Sequence, residues 1–292
     1  MSEARKGVIA MIGACLIWGF APILYKQLSH LPAAEILAHR TLWSFATFGA
    51  VLMGQGRLRE LGRLFRAGSQ TALLICAAVV ISVNWFFFIF AIGIGHAIEA
   101  SIGYYIYPLV AVLAGRVVFG ESISRWQVAA VALAGLAVLV LTVGFGVAPW
   151  ISLVLAVSFT SYGVLKRWIS AGPVLSVTGE TLVLAPLALG YLALWGQGGF
   201  SGSARDAVML VLSGPLTATP LILFSYANKR APMAHVGLTQ YLNPTLQFLV
   251  AALVFAEPVT RWHAIALPMI WLALALYSWS AFRRPAPGAA LT

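Results

Sequence analysis

Three ionisable side chains, His39, Arg40 and Glu180, fall inside long apolar runs of this 292-residue chain, and His235 is a fourth. An ion in such surroundings is costly unless it is paired or solvated, so each marks either a ligand path or a structural tie. Arg40 and Glu180 sit about one or two turns into their runs. Snorkelling to an interface, or anchoring a helix end, is as open to them as binding a substrate. The same runs carry Trp18, Asn84, Trp85, Phe88, Tyr104, Tyr162, Gln240, Tyr241 and Asn243. An amide or a phenol deep in apolar surroundings needs a hydrogen-bond partner. Together these groups suit non-covalent recognition. Amide donors fit a carboxylate, carbonyl oxygens fit an ammonium, and aromatic faces form a wall for an apolar side chain.

Covalent chemistry finds no such support. Asp206 is the only aspartate, no GxSxG occurs, and no His/Glu pair has metal-ligand spacing. No enzyme, no metal and no cofactor is expected. Cys15 and Cys76 both lie in apolar runs and read as packing residues.

The elements that position these groups are membrane helices. The chain is 61% hydrophobic and 9% charged, whereas a soluble domain is about a quarter charged. Ten runs approach the roughly 20 apolar residues a spanning helix needs: 7–28, 35–54, 70–94, 98–119, 125–142, 149–169, 173–195, 206–229, 232–255 and 262–282. The first reads as a retained helix, since no small-residue cleavage site ends it. The expected fold is an all-α membrane protein of ten transmembrane helices. The lipid bilayer is its partner, and no motif specifies an oligomer.

The net charge of +10 is a topology signal. With the N-terminus inside, 14 of the 18 Lys and Arg fall in cytoplasmic segments, among them Arg57, Arg59, Arg63, Arg66, Lys166, Arg167, Lys229, Arg230, Arg283 and Arg284. Only Lys26, Arg205 and Arg261 face outward, and Arg40 is left within the second run. Basic short loops stay cytoplasmic, which places both termini inside. A nucleic-acid role would need a continuous basic face, and the pattern offers none.

A repeat runs through this frame. YIYPLVAVLAGRVVFGESISRW at 105–126 returns, 136 residues later and without a gap, as YLNPTLQFLVAALVFAEPVTRW, with eight of 22 positions identical. Five spans separate the copies. Five is odd, so the loop with Glu121 and Arg125 faces inward while the loop with Glu257 and Arg261 faces outward. The expectation is two inverted five-helix repeats, 7–142 and 149–282, a recurrent design of secondary transporters. Lys26/Lys166, Thr41/Thr181 and Leu42/Leu182 align at an offset of 140, which sets Arg40 opposite Glu180. Pro108 and Pro244 fall near mid-span in spans 4 and 9. Each should free the carbonyl four residues earlier, at Tyr104 and Gln240, and each is a candidate hinge.

The stretches KGVIAMIGACLIWGFAPILYK, EILAHRTLWS, NWFFFIFAIGIGHAIEASIGYYIYPL and QYLNPTLQFLVA give the chain its resemblance. It resembles the drug/metabolite transporter superfamily with two EamA-type halves, in the RarD-like branch. The resemblance implies ten helices and export of small metabolites from the cytoplasm across a bacterial inner membrane. It extends to YddG-type exporters of aromatic and other amino acids. The small-molecule substrate expected is amino acid-like, a neutral zwitterion, since no deep acidic cluster and no central Arg/Lys cluster exists. Uncharged amphiphilic drugs are the alternative cargo, and a channel the alternative class.

Overall fold

The computed structural model describes residues 2–66, 68–120, 122–146, 148–228, 230–231, 236 and 239–282. Glu121, Lys229, His235, Arg283 and Arg284, which entered the repeat and charge readings, lie outside them. Every regular element among the described residues is helical. Ten long helices correspond one by one to the ten apolar runs. They are α1 Glu3–Gln27, α2 Ala33–Gly54, α3 Gly68–Gly93, α4 Ala97–Phe119, α5 Arg125–Phe145, α6 Trp150–Trp168, α7 Pro173–Trp195, α8 Ala204–Asn228, α9 Leu242–Val254 and α10 Arg261–Phe282. Short helices Leu58–Leu64 and Gly199–Gly202 lie in two of the connections.

Among the described residues eight of the ten are long and apolar enough to cross a membrane; α6 and α9 are the others. α9 differs in kind. Its eight α-helical residues Leu242–Leu249 pass into a five-residue π-helical turn, Val250–Val254. Among the described residues this continuous segment covers about 20 Å at 1.5 Å per residue, with residues 236 and 239–240 also helical ahead of it. Leu253 is 75% exposed and Val117 82% exposed. In water such side chains would drive aggregation, and in lipid they need no cover.

Side-chain ties identify the two ends of the bundle. At the terminal face, where α1 begins, Arg230 Nε donates to Glu3 at 3.0 Å and Gln70 Nε2 donates to the Trp168 carbonyl at 3.2 Å. There Ser124 caps α5 with a reciprocal Gln127 contact, and its hydroxyl meets Ser280 at 2.6 Å. At the distal face Glu257 accepts the amides of Ala97 and Ile98 at 2.9 and 2.8 Å. A carboxylate there meets both the orphan N–H groups and the positive end of the α4 dipole. Glu35 does the same for the amides of Gln197 and Gly199, both at 2.8 Å.

The principal packing pairs follow a rule. α1 packs on α8 and α9, and α6 on α3 and α4. α2 packs on α7 and α8, and α7 on α2 and α3. α4 meets α9, and α5 meets α10. Exchanging each helix with the one five places on returns the same set. The equivalent contacts α1–α9 and α4–α6 each rest on a glycine. A Cβ on Gly19 would sit 2.5 Å from Leu246 Cβ, and one on Gly103 would sit 2.8 Å from the Ser152 carbonyl. Small residues of this kind let membrane helices approach closely without a hydrophobic driving force. The turns that end α4 and α9 also match: Gly120 has φ 66° and Ala256, 136 residues on, has φ 54°.

Candidate functional site

Arg40 lies about two turns in from the distal end of α2 and is only 7% exposed. Its guanidinium carbon sits over the rings of Trp85, at 4.4 Å, and Tyr25, at 5.5 Å. Nε and Nη1 meet no hydrogen-bond partner among the described residues. From Tyr25 a ladder of edge-on rings crosses the bundle. Tyr25 meets Phe88 at 6.0 Å, Phe88 meets Tyr104 at 5.7 Å, and Tyr104 meets Phe159 at 5.8 Å. The ladder links α1, α3, α4 and α6. Spacing of four along α3 puts Asn84 and Phe88 on one face, with Trp85 beside them.

Asn84, 1% exposed, is fully engaged. Its Nδ2 donates to the Leu155 carbonyl at 3.1 Å and to Ser158 Oγ at 2.9 Å. Its Oδ1 accepts from the Tyr104 hydroxyl at 3.0 Å. Both N–H groups are thus spent within the protein. In this conformation Asn84 fastens α3 to α4 and α6 and offers a ligand no free donor.

Tyr162 stands beside Phe159, 6.3 Å between rings, and donates to Glu180 Oε2 at 3.0 Å. The other oxygen of Glu180 accepts from Lys166 at 2.6 Å, and Lys166 also bonds Ser176. Glu180 is therefore a paired, buried carboxylate tying α6 to α7. His39 is drawn away from the ladder, its ring stacked on Phe200 at 5.5 Å near the distal face.

Trp18, Asn243 and Gln247 make a separate cluster between α1 and α9. Gln247 donates to the Trp18 carbonyl at 3.4 Å and to Asn243 Oδ1 at 3.1 Å, while its own buried Oε1 has no partner among the described residues. The Trp18 ring faces Phe224 of α8 at 6.2 Å. Gln240 is half-buried just before the α9 start, and Tyr241 packs against the main core. The aromatic and amide residues thus divide between two clusters rather than lining one.

Pro108 lies inside α4. Pro244 lies near the start of Leu242–Leu249, and the backbone just before it is helical too: Tyr241 has φ −66° and ψ −14°, and residues 239–240 are helical. Without an amide N–H, Pro244 gives the Gln240 carbonyl no helical donor, and the turn at Tyr241 marks that gap in the ladder. The helices meet where the Tyr105 hydroxyl and Thr245 Oγ1 lie 2.7 Å apart. The thiols also separate: Cys15 is buried and donates to the Thr239 carbonyl at 3.4 Å, whereas Cys76 is exposed on α3.

Tyr25, Ser158, Phe159, Glu35 and Gln247 were not singled out by sequence. Gln247 had a signal, an amide in an apolar run three residues after Pro244. Glu35 had one too, a charge at a helix start. Tyr25, Ser158 and Phe159 had none, being ordinary residues until the bundle brings them to Arg40, Asn84 and Tyr104.

Ten helices enclosing a guanidinium, amides and phenols define a multi-span membrane protein with a polar interior. Residues 5–143 match the EamA-like transporter family. The chain is 41% identical to "Protein RarD" of Streptomyces exfoliatus, over 97% of this chain and 91% of that protein. It is 39% identical to "Uncharacterized transporter YojE" of Bacillus subtilis, over 96% and 95%. The chain belongs to the EamA-type, RarD-like branch of the drug/metabolite transporter superfamily, and is a membrane transporter. A crystal structure 19% identical in sequence shares the fold, with a TM-score of 0.67 over 96% of this chain and 100% of that one.

Proposed function

We propose that this transporter exports neutral and aromatic amino acids from the cytoplasm by alternating access. Its working parts are two five-helix units, 7–142 and 149–282, of opposite orientation in the bacterial inner membrane. The packing rule supports that division, because helix pairs that map onto one another five places apart are what related halves require. The basic residues of the Leu58–Leu64 segment, with Lys166, Arg167 and Arg230, cluster at the terminal face, which supports a cytoplasmic placement of both termini.

The observation that carries the cargo assignment is the ladder of Tyr25, Phe88, Tyr104 and Phe159. It is aromatic, buried at Tyr25 and Phe88 and half-buried at Tyr104 and Phe159, and it links α1, α3 and α4 to α6, the first three in one proposed unit and the last in the other. Such a wall suits a large apolar or aromatic side chain. Because it spans the unit boundary, a rigid-body movement of one unit opens it to one side and then to the other.

The test is uptake by purified full-length protein in liposomes. Tryptophan and methionine should enter faster than into empty liposomes and faster than glutamate or lysine. A neutral amphiphilic drug moved far faster than either, with no amino acid movement, contradicts the cargo assignment.

A further inference from the structure

Arg40 is a buried cation with no counter-ion among the described residues. It is 7% exposed, and its Nε and Nη1 meet no acceptor. Glu35, five residues earlier on α2, is about 140° round the helix and spends both oxygens on the amides of Gln197 and Gly199. The rings of Trp85 and Tyr25 soften the charge but give its N–H groups no lone pair. A desolvated cation left so needs an anion.

The second half of the chain shows what is missing. At the offset of 140, Arg40 corresponds to Glu180 and Lys26 to Lys166. Lys166 and Glu180 form an ion pair at 2.6 Å. Lys26 instead reaches the Ile92 carbonyl at 3.4 Å and the Phe255 ring at 5.6 Å. Where one half holds a cation and a carboxylate, the other holds two cations. A cavity of about 150 Å³ opens from the distal ends of α1, α2 and α3, and Tyr25 lines both this cavity and the Arg40 cage.

We propose that Arg40 is the anchoring site for a carboxylate carried by the transported molecule, which supplies the acid that the first half lacks. This deepens the amino-acid reading of the same site. The carboxylate meets the free N–H groups of Arg40 in charge-assisted hydrogen bonds. The apolar remainder lies along Trp85, Phe88 and Tyr104.

The experiment uses purified full-length protein in detergent, with indole-3-propionate and its methyl ester as probes. Binding is read by thermal stabilisation and by tryptophan fluorescence. Wild type should bind the acid and, at the same concentration, bind the ester at least about tenfold more weakly. Arg40→Gln should lose that preference, and Arg40→Lys should keep part of it. The acid–ester comparison on wild type stands even if a variant fails to fold. Equal binding of acid and ester, binding of neither, or full acid preference in Arg40→Gln overturns the assignment. Acid binding that depends on Arg40, with no tryptophan transport, upholds the site and removes only the amino-acid reading. Tryptophan transport with no acid preference does the reverse.

Discussion

Glu180 accepts from Lys166 at 2.6 Å on one oxygen and from the Tyr162 hydroxyl at 3.0 Å on the other, tying α6 to α7 near the terminal face. Glu180 is almost wholly buried, while the Lys166 side chain keeps 22% of its exposure. Removing the carboxylate leaves the ammonium poorly paired. Glu180→Gln should lower stability by about 1–3 kcal/mol, less than for a fully buried pair because Lys166 reaches solvent. Adding Lys166→Met should recover part of the loss. A double-mutant cycle on thermal unfolding in detergent measures this coupling. Additive losses would show that the pair contributes nothing.

Asn84 gives a second, sharper expectation. Asn84→Ala removes three hydrogen bonds and leaves the Tyr104 hydroxyl and the Leu155 carbonyl without this partner. The expected cost is about 2–3 kcal/mol, read as a lowered midpoint of unfolding. If Asn84→Ala abolished tryptophan binding with no loss of stability, the amide would be a ligand contact and not a fastening.

Two glycines separate close approach from mere occurrence. Gly103→Ala places its Cβ 2.8 Å from the Ser152 carbonyl, a backbone atom that cannot rotate away. It should cost about 1–3 kcal/mol by forcing α4 from α6. Gly135→Ala on α5 meets nothing within 4 Å and should be neutral or stabilising by up to about 1 kcal/mol. Matched unfolding curves for the two variants decide it.

Both prolines should matter in transport. Pro108→Ala restores an amide inside α4, and Pro244→Ala restores one where the backbone is helical on both sides. Each favours a straighter helix and should slow tryptophan flux severalfold while the protein remains folded in the membrane. Flux measurements on both variants in liposomes test this, and unchanged rates in both would contradict a hinge role.

The ten helices were legible because a bilayer demands long apolar runs, and a described helix falls in each run. The internal structure of α9 was not. Hydropathy averages over a window and is blind to the π-helical turn at Val250–Val254, which does not change polarity. The presence of Arg40 and Glu180 in apolar runs was plain, and their different fates were not. Glu180 finds Lys166 fourteen residues back, whereas the surroundings of Arg40 come from α1 and α3, which only the assembled bundle supplies. Asn84 was legible as a buried amide, but its partner Ser158 lies 74 residues away. The repeat at 105–126 and 241–262 pointed to paired turns, and Gly120 and Ala256 share the left-handed conformation. The split of the aromatic residues into two clusters had no sequence signal.

The central claim is a carrier that exposes one amino-acid site alternately to two sides. Counterflow tests it most directly. Liposomes holding the purified chain are loaded with unlabelled tryptophan and diluted into trace labelled tryptophan. A carrier exchanges one for the other, so label should rise transiently well above its equilibrium level and then decay. Label that only equilibrates, as through a channel, or that never enters beyond the level of empty liposomes, would contradict the account.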